Sequence, residues 1–414
     1  MRNRTLTAAA LLFLCAPAAR LAAAPTQVRL SWTGDPRMTM TVMWQTTEPE
    51  PGSIVRYGLD ARLSSTAVAS SPTYAYQTGH LHEATMRGLR PGAVYRYRVG
   101  SPSGGFSPVY RFRTAPPGPV DFEFTAFGDH GVTARSRRNA SRVLAAHPAF
   151  HLVLGDLSYA NGRQPVWDTW LSEISVFACS LPMMTVIGNH ENERIDGERI
   201  GYVAYLARLA MPTPETWYAF TYGDVRFVCP NSNDIDNATQ RAWLERTLSA
   251  ARRDPGIRWV VVAMHHPLYS STTRRGDSPD MIKALEGLLD RHRVDLVLVG
   301  HNHNYERSYP LRGGEPRTAE RHTYRQGEGI IHVISGGGGK SLYEFTPEQP
   351  ARIAVRARVT EFLRVRVLAS GSLTLEAVRT ADGSVLDRFT LVRRAARTTP
   401  SAATRDGQLA SGAR

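Results

Sequence analysis

Two hydrophobic rhythms divide this chain. From Thr26 to about Thr114, apolar and polar residues alternate in short runs, as in Gln27-Val28-Arg29-Leu30-Ser31-Trp32, Met40-Thr41-Val42-Met43-Trp44 and Val94-Tyr95-Arg96-Tyr97-Arg98-Val99. A period of two over four to eight residues marks half-buried strands. Pro51-Gly52 and Pro91-Gly92 punctuate them as turns. The spacing predicts an all-β sandwich over residues 25–114. Within it, Leu89-Arg90-Pro91-Gly92-Ala93-Val94-Tyr95 has the form of a corner in which a tyrosine hydroxyl caps the turn backbone.

Residues 115–119 read Ala-Pro-Pro-Gly-Pro, a stiff linker that cannot continue a strand ladder. Beyond it the rhythm changes. Apolar-rich runs at 121–127, 151–154, 183–187, 259–263 and 294–299 are separated by longer stretches, with helices expected at 134–146, 239–251 and 279–291. Further β-like text closes the body at 330–334, 362–367 and 373–378. The expected fold is therefore an N-terminal all-β sandwich followed by an α/β domain over residues 120–393, with two sheets flanked by helices. Residues 394–414, rich in Ala, Arg, Thr and Ser, are expected to be a disordered tail.

Each of the five apolar runs ends in residues that bind metals. In order they read Gly128-Asp129-His130-Gly131, Gly155-Asp156-Leu157-Ser158-Tyr159, Gly188-Asn189-His190-Glu191, Met264-His265-His266 and Gly300-His301-Asn302-His303. A single Gly-Asp at a strand end is commonly just a turn. Five such ends in one segment are not accounted for that way, and open α/β sheets gather ligands beyond the carboxyl ends of their strands. Together they supply enough side chains for two adjacent cations, which activate water and stabilise phosphoryl transfer. The residues read as a dinuclear metallophosphatase.

Composition adjusts the picture in three places. Arg2 and Arg4 precede an apolar run at 6–19 and the small residues Ala22, Ala23 and Ala24, the order of a secretory signal peptide over residues 1–24. That run is too short for a permanent anchor, so a secreted or periplasmic protein with no stable membrane anchor is expected. The formal net charge is +13, but three arginines lie in the first 20 residues and a net four positive charges follow Val392, leaving about +6 for the body. Such a body attracts phosphate esters without marking a specific nucleic-acid partner. Outside the leader only Cys179 and Cys229 remain. Export permits them to pair, and burial as free thiols serves equally well.

The phrase Gly300-His301-Asn302-His303-Asn304-Tyr305-Glu306-Arg307-Ser308, together with Tyr159, resembles the purple acid phosphatases of the calcineurin-like metallophosphoesterase superfamily. Residues 25–114 are similar to a fibronectin type III domain, and the resemblance extends over the linker and the catalytic body. It implies Fe(III) held by Asp129, Asp156, Tyr159 and His303. It implies a second, divalent ion (Fe, Zn or Mn) held by the bridging Asp156 with Asn189, His265 and His301. Carboxylate and phenolate oxygens suit Fe(III), whereas amide and imidazole suit a divalent ion.

His190 resembles the family's imidazole beside the phosphate, placed to protonate the leaving group. Glu191 and His266 are candidates to orient His265 or His190. Arg274 stands where plant members carry further histidines and is a candidate phosphate contact. His130 takes no role from the resemblance. The implied activity is that of a secreted acid phosphatase, hydrolysing phosphate monoesters by in-line attack of a metal-bound hydroxide. A phosphodiesterase or phospholipase would use the same ligands, because loops decide substrate size. A non-enzymatic binding protein ranks last, since it would lack a ligand and none is missing. Residues 336–339, four consecutive glycines, do not have the spacing of a phosphate-binding P-loop and instead suit a close backbone approach to the site.

Overall fold

The architecture follows from a computed structural model that describes residues 24–393; the leader expected over 1–24, apart from Ala24, and the tail expected over 394–414 lie outside the described residues. The N-terminal part is two facing antiparallel sheets. Thr26–Ser31, Met40–Thr46 and His80–Met86 form one, and Ser65–Val68, Ile54–Gly58 and Val94–Ser101 lead the other, with Tyr110–Arg113 on the far side of Val94–Ser101. Trp44, Tyr97 and Phe112 fill the space between them. The Tyr95 hydroxyl accepts the Arg90 backbone N–H at 3.0 Å, so the corner read from the sequence is formed.

The remainder is built on two seven-stranded sheets packed face to face, with two short two-stranded hairpins beside them. In the first, Phe122–Phe127, Phe150–Val153 and Met183–Thr185 run parallel, and Glu361–Leu368, Ser372–Arg379 and Val385–Val392 extend the sheet antiparallel. In the second, Val225–Cys229, Trp259–Ala263, Leu296–Val299 and Ile331–Ser335 run parallel. Because side chains alternate across a strand, Val261 and Ala263 enter the core between the sheets. Val260 and Val262 meet the helices Ala238–Arg253 and Pro279–Arg291 outside. Burial on both faces explains the unbroken apolar runs of Trp259–Ala263 and Leu296–Val299.

The two parts share one core. Trp32 packs against Phe150, Phe220 and Tyr222 of the α/β part, with ring centroids 5.5, 5.8 and 5.7 Å away. The Tyr97 hydroxyl donates to the Cys179 carbonyl at 2.6 Å, and the Arg29 Nε donates to the Arg208 carbonyl at 2.7 Å.

The helix Gln164–Ala178 was not among the expected elements. Its buried stripe of Trp167, Trp170, Leu171, Ile174 and Phe177 has helical spacing. Pro165 in its first turn removes only an N–H that has no partner there. Of the two alternatives for the cysteines, the structure has free thiols: Cys229 is buried and Cys179 half-buried. His130 is a packing residue: its Nδ1 accepts from the Trp170 indole at 2.9 Å, and its Nε2 lies 2.9 Å from the Ser136 carbonyl. Burial takes it down to about 4, so it stays neutral.

Candidate metal centre

The five motifs meet at one edge of the packed sheets. Asp129, Asp156 and Asn189 follow the three parallel strands of the first sheet, while His265 and His301 follow Trp259–Ala263 and Leu296–Val299 of the second. Where these strands end, the chain turns sharply. Asp129, Asp156, Tyr159 and His301 adopt left-handed backbone conformations, with φ of 61°, 52°, 57° and 69°. Such a conformation costs a non-glycine residue about 1 kcal/mol or more, and it persists where surrounding structure enforces it. Gly188 permits the close approach of two of the turns: a Cβ there would lie 2.1 Å from Asp156 Oδ1.

Two clusters of donor atoms result. In the first, Tyr159 Oη lies 2.8 Å from Asp129 Oδ1 and 2.9 Å from His303 Nε2, and His303 Nε2 lies 3.2 Å from Asp129 Oδ1. In the second, His265 Nε2 is 3.3 Å from Asp156 Oδ2 and 3.1 Å from His301 Nδ1. Ligands at about 2.0–2.2 Å from one cation, at right angles, stand roughly 3 Å apart, so both spacings fit. One acceptor atom each of Asp129 and Asp156 and a nitrogen of His265 lie within 4.8 Å of one another, which joins the clusters. Asn189 Oδ1 is buried with no hydrogen-bond partner, an acceptor left open beside them.

The imidazoles are already oriented. His265 Nδ1 is 2.8 Å from the Leu154 carbonyl and His303 Nδ1 is 2.8 Å from the Ser341 carbonyl. A carbonyl only accepts, so each Nδ1 carries a proton and each Nε2 faces the donor cluster. His190 Nδ1 donates to Asn161 Oδ1, its ring lies 4.2 Å from that of Tyr159, and its Nε2 is 3.7 Å from Asp156 Oδ2.

The electrostatics suit cations. Burial opposes an ionised Asp156, but His265 and His190 outweigh it and hold the carboxyl below its usual range. Burial also lowers His265, but Asp156 and Asp129 more than compensate and raise it to about 9. Burial, then His265, takes His266 down to about 3 and drives His301 down as well. Tyr159 is pushed well up by burial, then by Asp129 and Asp156. An acidic pocket whose phenol resists ionisation is one that a multivalent cation stabilises.

Three candidates behave differently from expectation. Glu191 hydrogen-bonds neither His265 nor His190; its carboxylate accepts the backbone N–H groups of Asp156, Leu157 and Gly188 at 2.9, 2.9 and 2.8 Å. It braces the two turns rather than an imidazole. His266 hydrogen-bonds neither of them; its Nδ1 is 2.8 Å from Ser232 Oγ, and its ring lies 4.2 Å from that of His301. Arg274 is exposed with its guanidinium 4.9 Å from the Tyr343 ring, while its neighbour Arg275 reaches His301 Nε2. Sequence reading passed over Asn161 and Tyr343, because neither lies at a metal-ligand spacing; it named Arg275 beside Arg274 and Lys340 after the glycine run without giving either a place at the centre. Tyr343 stacks on His303 at 4.2 Å, and Lys340 Nζ lies 4.1 Å from the Tyr159 ring centroid.

A crevice of about 320 Å³ opens beside His266, Arg275 and His301. The larger one, about 620 Å³, lies between the sandwich and the second sheet and holds no candidate ligand.

Three family models match this chain. They are a purple acid phosphatase N-terminal domain over residues 25–114, a calcineurin-like phosphoesterase over 122–305, and an iron/zinc purple acid phosphatase-like protein C over 329–388. An uncharacterized protein of Mycobacterium tuberculosis is 32% identical over 73% of this chain and 67% of its own length. Purple acid phosphatase 18 of Arabidopsis thaliana is 30% identical over 76% of this chain and 71% of its own. The structure of a purple acid phosphatase from yellow lupin (Lupinus luteus) seeds superposes with a TM-score of 0.83 at 25% identity, covering 90% of this chain and 75% of that one. Fold and site thus define a calcineurin-like phosphoesterase. Within that class, the chain belongs to the purple acid phosphatases and is a metal-dependent phosphatase hydrolase.

Proposed function

We propose that this protein is an exported acid phosphatase, secreted or periplasmic, that hydrolyses phosphate monoesters at an Fe(III)–M(II) centre. The observation that carries the reading is the Tyr159 hydroxyl held against both Asp129 and His303. That donor set of carboxylate, phenol and imidazole suits Fe(III), with Asp156 bridging to a divalent Fe, Zn or Mn held by Asn189, His265 and His301. When bound, such a pair supplies an activated water and neutralises charge on the phosphoryl oxygens.

The chain's own residues do the rest. Asp129, Asp156, Asn189 and the histidines would hold the cations over the strand ends, and His265 and His303 keep their orientation through the Leu154 and Ser341 carbonyls. His190, aimed by Asn161, presents Nε2 toward the site, where it delivers a proton to the departing alcohol oxygen. The crevice beside His266 and Arg275 accommodates the organic part of the ester. Residues 25–114 serve as the sandwich domain and 120–393 as the catalytic domain, with 1–24 as a cleaved leader.

The test is a visible spectrum of the purified protein, as isolated and after mild oxidation, with metal analysis of the same sample. A broad violet band is expected, absent in Tyr159→Phe while the far-ultraviolet circular dichroism is unchanged. A colour that survives in that variant overturns the phenolate assignment. Rates with p-nitrophenyl phosphate and bis(p-nitrophenyl) phosphate are measured alongside; faster hydrolysis of the diester overturns the monoesterase reading.

A further inference from the structure

Lys340 is the one lysine the chain brings to the metal centre, and the structure devotes an unusual stretch of backbone to placing it. It follows the four glycines 336–339, which thread between the two sheets' strand ends. The Gly338 N–H donates to the Gly128 carbonyl at 3.1 Å, and the Lys340 N–H donates to the carbonyl of Asp129 itself at 3.3 Å. Asn139 Nδ2 donates to the Gly338 carbonyl at 3.0 Å, and the Thr133 hydroxyl donates to the Gly339 carbonyl at 3.0 Å. No side chain fits in this run: a Cβ on Gly338 would lie 2.1 Å from the Gly128 carbonyl oxygen. The loop is clamped from both sides, and the first side chain it releases is a cation.

That cation is directed at the site. Its ammonium sits 4.1 Å from the centroid of the Tyr159 ring, which also packs against the ring of His190 at 4.2 Å. Among the described residues no carboxylate lies within ion-pair distance of Lys340, and the side chain is half-buried rather than free on the surface. A half-buried ammonium with no direct ion-pair partner, held in the field of Asp129 and Asp156 on a rigid support at the rim of a phosphate-binding centre, is poorly explained by packing. Arg275 occupies the opposite rim at His301.

Resting on the phosphatase reading above, we propose that Lys340 is a substrate-binding residue, donating a charge-assisted hydrogen bond to a non-bridging oxygen of the ester's phosphate from the Tyr159 side, opposite Arg275. It then holds product phosphate by the same contact. Its clamped loop makes the contact pre-organised, so little ordering is needed when substrate arrives.

The experiment compares the metal-loaded wild type with Lys340→Met, which keeps the stem, and Lys340→Arg, which restores the charge. KM and kcat for p-nitrophenyl phosphate, the Kd of inorganic phosphate by calorimetry, and the visible band are all read. Lys340→Met is expected to raise KM and the phosphate Kd about tenfold, the loss of one charge-assisted hydrogen bond, with the smaller change in kcat. Lys340→Arg is expected to recover most of both. Wild-type KM and phosphate Kd in Lys340→Met overturn the assignment, also where the visible band shifts, because the lysine then acts on the phenol alone. In that case the wild type still holds its metals and hydrolyses the ester, so only this assignment falls. A wild type that takes up no metal and hydrolyses no ester overturns the phosphatase reading and this assignment with it.

Discussion

The sandwich and the strand-end turns of the metal centre are made from similar hydrophobic strands, yet they treat strain in opposite ways. Over residues 24–114 only Gln27 and Leu63, among non-glycine residues, hold left-handed backbone conformations. At the centre, four of the seven candidate ligands do so: Asp129, Asp156, Tyr159 and His301. The sandwich closes its corner with one neutral hydrogen bond, from the Arg90 N–H to the Tyr95 hydroxyl. The centre instead gathers buried carboxylates, imidazoles and a phenol within about a ligand's width of one another. A region built for stability relaxes its backbone, whereas a region built for chemistry keeps strained turns and relies on its neighbours to hold them. Glu191 is such a neighbour, because its one carboxylate takes three backbone N–H groups from two different turns.

The sharpest way to break this contrast is Asp156→Asn. The residue stands in the second donor cluster, within 4.8 Å of Asp129 in the first, and takes the His190 backbone N–H at 2.9 Å. Its loss is expected to cost more in metal affinity than the roughly 10–100-fold typical of an outer-shell partner, and activity with it. The sandwich should remain folded. Metal content and turnover of the purified variant decide the matter; full activity removes the dinuclear account.

Trp32→Ala probes the other side. The indole is fully buried against Phe150, Phe220 and Tyr222, so truncation is expected to lower stability by about 3–5 kcal/mol. Urea unfolding reads the loss. Because Trp32 contacts no donor atom, metal content per folded molecule should hold; a parallel loss of metal would mean that the sandwich supports the centre directly.

A third test is read against pH. Glu361 is fully buried beneath the glycine run, hydrogen-bonded by the Ser335 hydroxyl at 2.9 Å, and burial pushes its carboxyl from 4.5 up to about 8. The folded state therefore binds more protons than the unfolded one between those values. The stability that this neutral carboxyl contributes is full below about pH 4.5 and is lost as pH rises toward 8, by at most about 1.4 kcal/mol per pH unit. Glu361→Gln removes the titration, so the wild type's advantage over it in melting temperature should shrink from pH 5 to pH 8. An advantage independent of pH would place the proton elsewhere.

Much of the architecture is legible in the order of residues, because strand and helix periods are local consequences of backbone geometry. The corner at Tyr95, the parallel runs that end in Asp129, Asp156 and Asn189, and the helices near residues 134, 239 and 279 can all be read that way. The helix Gln164–Ala178 was harder to see: it starts just after the Tyr159 motif, amid Asn161, Gly162 and Pro165, which read locally as a loop.

What the sequence determined by itself was the set of donor residues and their place at strand ends. Which of them meet was decided only when the two sheets packed together. Asp129 and His303 are far apart in the chain and belong to different sheets, yet their ligand atoms stand 3.2 Å apart. The same packing turned Glu191 from a supposed partner of histidine into a brace for backbone, and left Cys179 and Cys229 as free thiols. It also brought Lys340 and Arg275 to opposite rims of the centre. Side-chain chemistry is written residue by residue, but distance between side chains is a property of the packed layers, and no local pattern encodes it.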